Sequence, residues 1–200
     1  MLNFYIIGDI GNTDIKICVY KNKNIVKKIR LSTNKVNLKY LKKNLNVLRK
    51  YEKKLKQILF CSVVPNCYKK IKNYFKLYFN INCNELKGLN LSKLLNIKVD
   101  RKQIGSDRLA NAISVIDNKN NYIVVDFGTA TNFDVISTNS YNGGVIAPGI
   151  ELSLSSLTNK ATLIPEVKLS RTKKIVGKNT ISSVNNGFFF WICGLDRKYC

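Results

Sequence analysis

The chain has 200 residues, 45% of them hydrophobic, which is enough for one sizeable core or two small lobes. No apolar run approaches the roughly 18 residues of a membrane span, and the start lacks a charged leader with a small-residue cleavage site, so a cytoplasmic protein without a membrane partner is expected. The formal charge of +22 implies affinity for polyanions, yet 28 of the 34 basic residues are Lys, spread with Asn and Ile through the first hundred residues. Between Gln103 and Asn159 five acids face two bases. The charge therefore avoids the motif-bearing region. A codon bias towards A·T leaves such residues on solvated faces, and no specific nucleic-acid surface is expected. The six cysteines are irregularly spaced and there is no histidine, which suits reduced thiols and argues against a tetrahedral zinc site.

In chain order, "NFYIIGD", "DIKICVY" and "NIVKKIRLS" read as three strands of an antiparallel meander. Leu38 to Lys56 has apolar residues at 38, 41, 45, 48, 51 and 55, the spacing of an amphipathic helix. "QILFCSVVP" follows as a buried strand stopped by Pro65, and "NCYKKIKNYFKLYF" as a helix with Tyr68, Ile71, Phe75 and Phe79 on one face. "GSDRLANAISVID" reads as a helix with Ser106 as N-cap and Leu109, Ala112, Ile113 and Ile116 on its buried side. The plan then restarts: "YIVVDFG", "NFDVIS" and "GGVIAP" are strands, and a helix begins at Ile150.

"IIGDIGNTDIKICVY" and "YIVVDFGTATNFDVIS" share a frame, with Asp9 matching Asp126, Gly11 matching Gly128, and Thr13 matching Ala130 or Thr131. The glycine lets backbone amides approach a phosphate, threonines add donors, and paired carboxylates hold a cation. Duplicated tips are expected to make a cleft between two lobes. Either tip alone also reads as an ordinary turn capped by Asp and Gly. Asp107 has two readings: a partner of the helix dipole with Arg108 solvated, or a general base with Arg108 as anion anchor. Asp134 and Asp14 read as surface or inter-strand acids.

"DIGNT", "GSDR", "VVDFGTAT", "GGVIAPG" and "GKNT" followed by "NNG" occur in the order and approximate spacing of the type III pantothenate kinases, and the chain resembles that family from Ile6 to Gly187. The resemblance implies an α/β fold of duplicated ribonuclease-H-like (actin-like ATPase) lobes, mixed sheets flanked by helices, divided as residues 1–115 and 116–200. It implies ATP-dependent phosphorylation of pantothenate to 4′-phosphopantothenate, with Mg2+ accompanying ATP, a monovalent cation (K+ or NH4+), and a homodimer. By motif position, Asp9, Ile10, Gly11, Asn12, Thr13, Asp14, Ile15, Lys16 and Thr129 would contact ATP. Gly105, Ser106, Asp107, Arg108 and Thr180 would contact pantothenate, Asp107 as catalytic base and Arg108 on the carboxylate. Asp126 would bind the monovalent cation.

The sequence departs from the family pattern before "GSDR", where Val99 and Arg101 replace an aromatic residue and a proline, and at Asn132, where a threonine is common. Family members usually continue past residue 200 with a strand, an adenosine-contacting turn and a helix, so the second lobe reads as truncated. Alternatives are a non-catalytic nucleotide- or pantothenate-binding relative, a degenerate partner subunit, or a basic RNA-associating protein.

Overall fold

In a computed structural model, residues 3–199 are described, and the chain divides into two compact units, Met1–Val115 and Ile116–Cys200. The first unit holds a five-stranded mixed sheet whose order runs from the third strand in sequence through the second and first to the fourth and fifth. Strands β1 (Phe4–Ile10), β2 (Asp14–Lys21) and β3 (Asn24–Ser32) form the expected antiparallel meander. Asn22 and Lys23 turn β2 into β3 with φ of 48° and 67°, the left-handed pair of a tight hairpin. Strands β4 (Leu55–Ser62) and β5 (Cys83–Glu85) add on in parallel to β1, which requires the intervening helices as crossovers.

Helix α1 (Leu38–Leu45) is capped by the Asn37 side chain, which accepts from the Tyr40 amide at 2.9 Å. It does not run to Lys56 as its apolar spacing predicts. From Asn46 to Lys54 the chain tightens to 3-10 geometry, because Leu45, Leu48 and Tyr51 are three apart and stay on one face of that narrower helix. Leu55 already belongs to β4, opposite Phe4. Helix α2 (Pro65–Phe79) starts on its proline and stops at Asn80, whose φ of 50° ends the helix.

Between them these elements bury Ile6, Ile10, Ile15, Ile17, Ile58 and Phe60 from the sheet against Leu41, Leu45, Leu48, Ile71, Tyr74 and Phe75 from the helices. Gly8 lies under the Phe60 ring: a Cβ there would stand 2.1 Å from Phe60 Cε1. Because that ring is fully buried, it has little room to give. Gly8→Ala is therefore expected to cost about 1–3 kcal/mol, the range for overpacked cores, read as a lowered denaturant midpoint at unchanged slope.

A long link carrying the two-residue strand β6 (Asn96–Ile97) leads to α3 (Ser106–Val115). In the second unit, β7 (Asn121–Phe127), β8 (Ala130–Ser137) and β9 (Ser140–Pro148) repeat the antiparallel meander. Helices α4 (Ile150–Lys160) and α5 (Thr180–Tyr199) follow. Of its two readings Asp134 takes the inter-strand one: it is fully buried on the central strand β8, where its Oδ1 accepts from the hydroxyl of Tyr141 on β9 at 2.7 Å. A buried hydrogen bond makes the carboxylate tolerable there. Cys18, Cys61, Cys67 and Cys83 are free thiols, and no helix among the described residues is long and apolar enough to cross a membrane.

Candidate active site

The two hairpin tips differ by one residue. In the first, Ile10 pairs with Ile15 and the Gly11 amide donates to the Asp14 carbonyl at 2.9 Å. In the second, Phe127 pairs with Thr131 and the Gly128 amide donates to the Ala130 carbonyl at 3.0 Å. Counting outward from the paired residues, Lys16 matches Asn132 and Ile15 matches Thr131. Thr13 thus corresponds to Thr129, a turn residue, and not to Ala130 or Thr131. Thr131 is buried on the strand.

At the first tip Asn12 and Thr13 are exposed, and Lys16 stands directly across from Asp9 in the ladder. The turn is pinned from outside. Thr33 donates its hydroxyl to the Gly11 carbonyl at 2.8 Å and its amide to the Thr13 carbonyl at 2.9 Å, and the Val63 amide reaches the Ile10 carbonyl at 3.1 Å. Ile10 and Ile15 point into the core with no exposure, so only their backbone is at the tip. Asp14 pairs with Arg30 of β3, and that hydrogen bond holds its carboxyl below the usual carboxylate range. It is an inter-strand acid, as its alternation on β2 indicates. An exposed pair of this kind stabilises little.

Next to Asp9 in the parallel β1–β4 ladder sits Cys61. Its Sγ lies 3.5 Å from Asp9 Oδ1 and 3.7 Å from the Gly8 carbonyl oxygen. Burial pushes the thiol up to about 12, helped by the Asp9 charge and hydrogen bond and then by the Asp107 charge. Nothing local in the sequence marks Cys61. The signal is topological: when two strands run parallel from one sheet edge, residues near their carboxyl ends meet.

Asp107 sits on the first turn of α3. Ser106 is the first helical residue and not the cap; the Gly105 carbonyl accepts from the Leu109 amide at 3.2 Å. The buried Ser106 hydroxyl instead donates to the Glu85 carboxylate on β5, which ties the helix start to the sheet. The Asp107 carboxylate folds back over Gly105, where a Cβ would lie 2.3 Å from Oδ1, and Oδ1 accepts from the Arg108 amide at 2.9 Å. Arg108 is half-buried. Arg101, which stands where the family pattern differs, donates to the carbonyls of Lys87, at 2.8 Å, and Leu89 and so fixes the approach to α3.

In the second unit Asp126 is half-buried near the end of β7, opposite Asn132. Gly149 docks the start of α4 onto the β7–β8 turn: its amide donates to the Thr129 carbonyl at 2.9 Å, and a Cβ would lie 2.1 Å from the Gly128 carbonyl oxygen. Gly128, Thr129, Glu151, Leu152 and Ser155 line a pocket of about 360 Å³ there. Glu151 lies outside the family motifs and is found at this pocket only because α4 starts against the turn. A turn of exposed Gly and Thr beside a helix N-terminus suits phosphate oxygens. Thr180 opens α5, whose first turn is capped by Asn179 accepting from the Ser182 amide at 2.9 Å. Beside it a polar pocket of about 410 Å³ is lined by Lys168, Ser170, Arg171, Asn179, Asn185 and others.

Among the predicted site residues, Asp9, Gly11, Thr13, Lys16, Gly105, Asp107 and Arg108 lie in the first unit, and Asp126, Thr129 and Thr180 in the second. No three acidic or cysteine side chains cluster as a metal cage among the described residues. A magnesium ion bound through one carboxylate and substrate phosphates does not require one.

The sequence pattern of the type III pantothenate kinase family matches residues 5–199. The chain belongs to that family. It is 54% identical over 191 residues to the type III pantothenate kinase of Pelagibacter ubique, a match covering 95% of this chain and 77% of that relative. Among solved structures, it is similar to a Sinorhizobium meliloti protein assigned as a 2-dehydro-3-deoxygalactonokinase, with a TM-score of 0.62, 9% identity, and 96% and 79% of the two chains covered. It is also similar to MreB5 of Spiroplasma citri bound to ADP, with a TM-score of 0.50, 11% identity, and 98% and 78% covered. At such identities the likeness shows the fold, that of the actin-like ATPases, with mixed sheets flanked by helices.

Proposed function

We propose that this type III pantothenate kinase transfers the γ-phosphoryl group of ATP to the primary hydroxyl of pantothenate, giving 4′-phosphopantothenate in the first step of coenzyme A biosynthesis. The observation that carries the reading is the family match across nearly the whole chain. The exposed Asn12 and Thr13 at the hairpin tip, with Asp9 and Lys16 facing each other beside it, support the assignment of the phosphate-facing residues.

Asp107 accepts the proton of the pantothenate hydroxyl as its oxygen bonds to the γ-phosphorus and the bond to the ADP oxygen breaks. In a loose transition state most of the work is positioning and charge neutralisation, so an ordinary carboxylate suffices as base. Arg108 holds the pantothenate carboxylate with its planar fork. Asp9 and the turn to Lys16 meet the phosphates, with the Gly11 to Thr13 backbone, the Thr13 hydroxyl and the Lys16 ammonium as donors. Bound magnesium supplies charge neutralisation at the phosphates, and Asp9, with an exposed tip beside it, fits as its protein carboxylate. Thr129 touches ATP, Asp126 binds potassium or ammonium, and Thr180 reaches pantothenate across a homodimer interface in the cytoplasm.

The test is an assay of the purified chain with pantothenate, ATP, magnesium and potassium or ammonium, read by mass spectrometry for 4′-phosphopantothenate. Product is expected with either monovalent cation. Absence of product under every cation overturns the kinase reading in favour of a binding-only protein.

A further inference from the structure

Cys61 has no part in the transfer just described, yet it is the side chain that touches the Asp9 carboxylate. The β1–β4 ladder runs in register from Tyr5 opposite Gln57 to Ile10 opposite Ser62, so Asp9 and Cys61 are direct neighbours at the carboxyl ends of two parallel strands. Sγ has one proton and two acceptors in reach, Asp9 Oδ1 at 3.5 Å and the Gly8 carbonyl at 3.7 Å. The charged carboxylate is the stronger acceptor. Gly8 is itself clamped beneath Phe60, which fixes the backbone on which this pair is built.

We infer that Cys61 is a positioning residue for nucleotide binding: its thiol holds Asp9 Oδ1 and thereby sets the direction in which the other carboxylate oxygen meets the magnesium–phosphate group. The inference rests on the kinase reading for the identity of that ligand. A thiol suits the place on geometric grounds: it has a single proton to give, and the Asp9 carboxylate is the nearer of the two acceptors around it. Its hydrogen bond is weak for a charged acceptor, so its removal should cost about tenfold and not abolish binding.

The experiment compares wild type, Cys61→Ala and Cys61→Ser in steady-state kinetics and in calorimetric titration with MgATP. Cys61→Ala is expected to raise the KM and Kd for MgATP about tenfold, leaving the KM for pantothenate within twofold and kcat within threefold. Cys61→Ser, which keeps a donor, should restore MgATP binding to within threefold of wild type. An unchanged Kd for MgATP in Cys61→Ala overturns the inference and leaves the kinase reading intact. Equal losses for both substrates, or no rescue by Ser, assign Cys61 to packing and also overturn it. If wild type binds MgATP but forms no product, the kinase reading falls and the Kd ratio still decides the role of Cys61. A wild-type chain that neither binds MgATP nor turns over rejects both.

Discussion

Asp107→Asn is expected to lower kcat for pantothenate phosphorylation by at least roughly a hundredfold, the lower end of what a positioned general base contributes. Asparagine has the same shape and its amide oxygen can still accept from the Arg108 amide, as Asp107 Oδ1 does at 2.9 Å. What it lacks is the ability to take a proton. The structural cost is small, because Asp107 lies in the first turn of α3, where losing a negative charge removes about 0.3–1 kcal/mol of dipole interaction. A melting temperature within a few degrees of wild type, together with the rate loss, separates chemistry from folding. Equal rates would reject the assignment of Asp107 as base and return it to a dipole partner.

Gly105→Ala is expected to lower kcat by about a hundredfold as well, without touching an ionisable group. The added methyl would stand 2.3 Å from Asp107 Oδ1, so the carboxylate has to swing away, and displacements of about 1 Å cost that much in a positioned site. The obstacle is the end of a side chain and not backbone, so the fold accommodates it. The Ser106–Glu85 bond and the Leu109 amide bond to the Gly105 carbonyl remain available. Gly88→Ala is the control: nothing lies within 4 Å of its Cβ position, and wild-type rate and stability are expected. Wild-type kcat in Gly105→Ala would show that the folded-back carboxylate is not the reacting arrangement.

Much of this was readable in the residues, and the exceptions have physical causes. Both meanders were legible because a half-buried strand must alternate, as Ile15, Ile17 and Val19 do on β2. The "D-x-G" tips were legible because an acid and a glycine between two alternating runs mark a chain reversal. The stretch after Leu45 was misread because residues at 45, 48 and 51 satisfy a 3-10 turn as well as an α-helix, and tertiary packing chose. Asp134 reads equally as a surface or an inter-strand acid, because its partner, Tyr141, sits on the next strand and polarity alone does not reveal a buried pair. Ser106 has the composition of a cap, but Glu85, 21 positions earlier, claims its hydroxyl. Within the segment from Asp9 to Lys16, strand alternation assigns the side chains of Ile10 and Ile15 to the core, and both are fully buried. Cys61 was silent because only the parallel pairing of β1 with β4 makes it a neighbour of Asp9.

The bond from Ser106 to Glu85 gives the short rim strand β5 an influence beyond its size. Three residues long and flanked on one side only, by β4, it is the part of the sheet with least to lose on opening, and edge segments fray well below the global transition. When it frays, the helix that carries Asp107 loses one of its ties to the sheet while the buried interior around Phe60 and Phe75 stays intact. Turnover in such a design has a lower heat ceiling than the polypeptide itself: warming slackens the enzyme before it melts the protein.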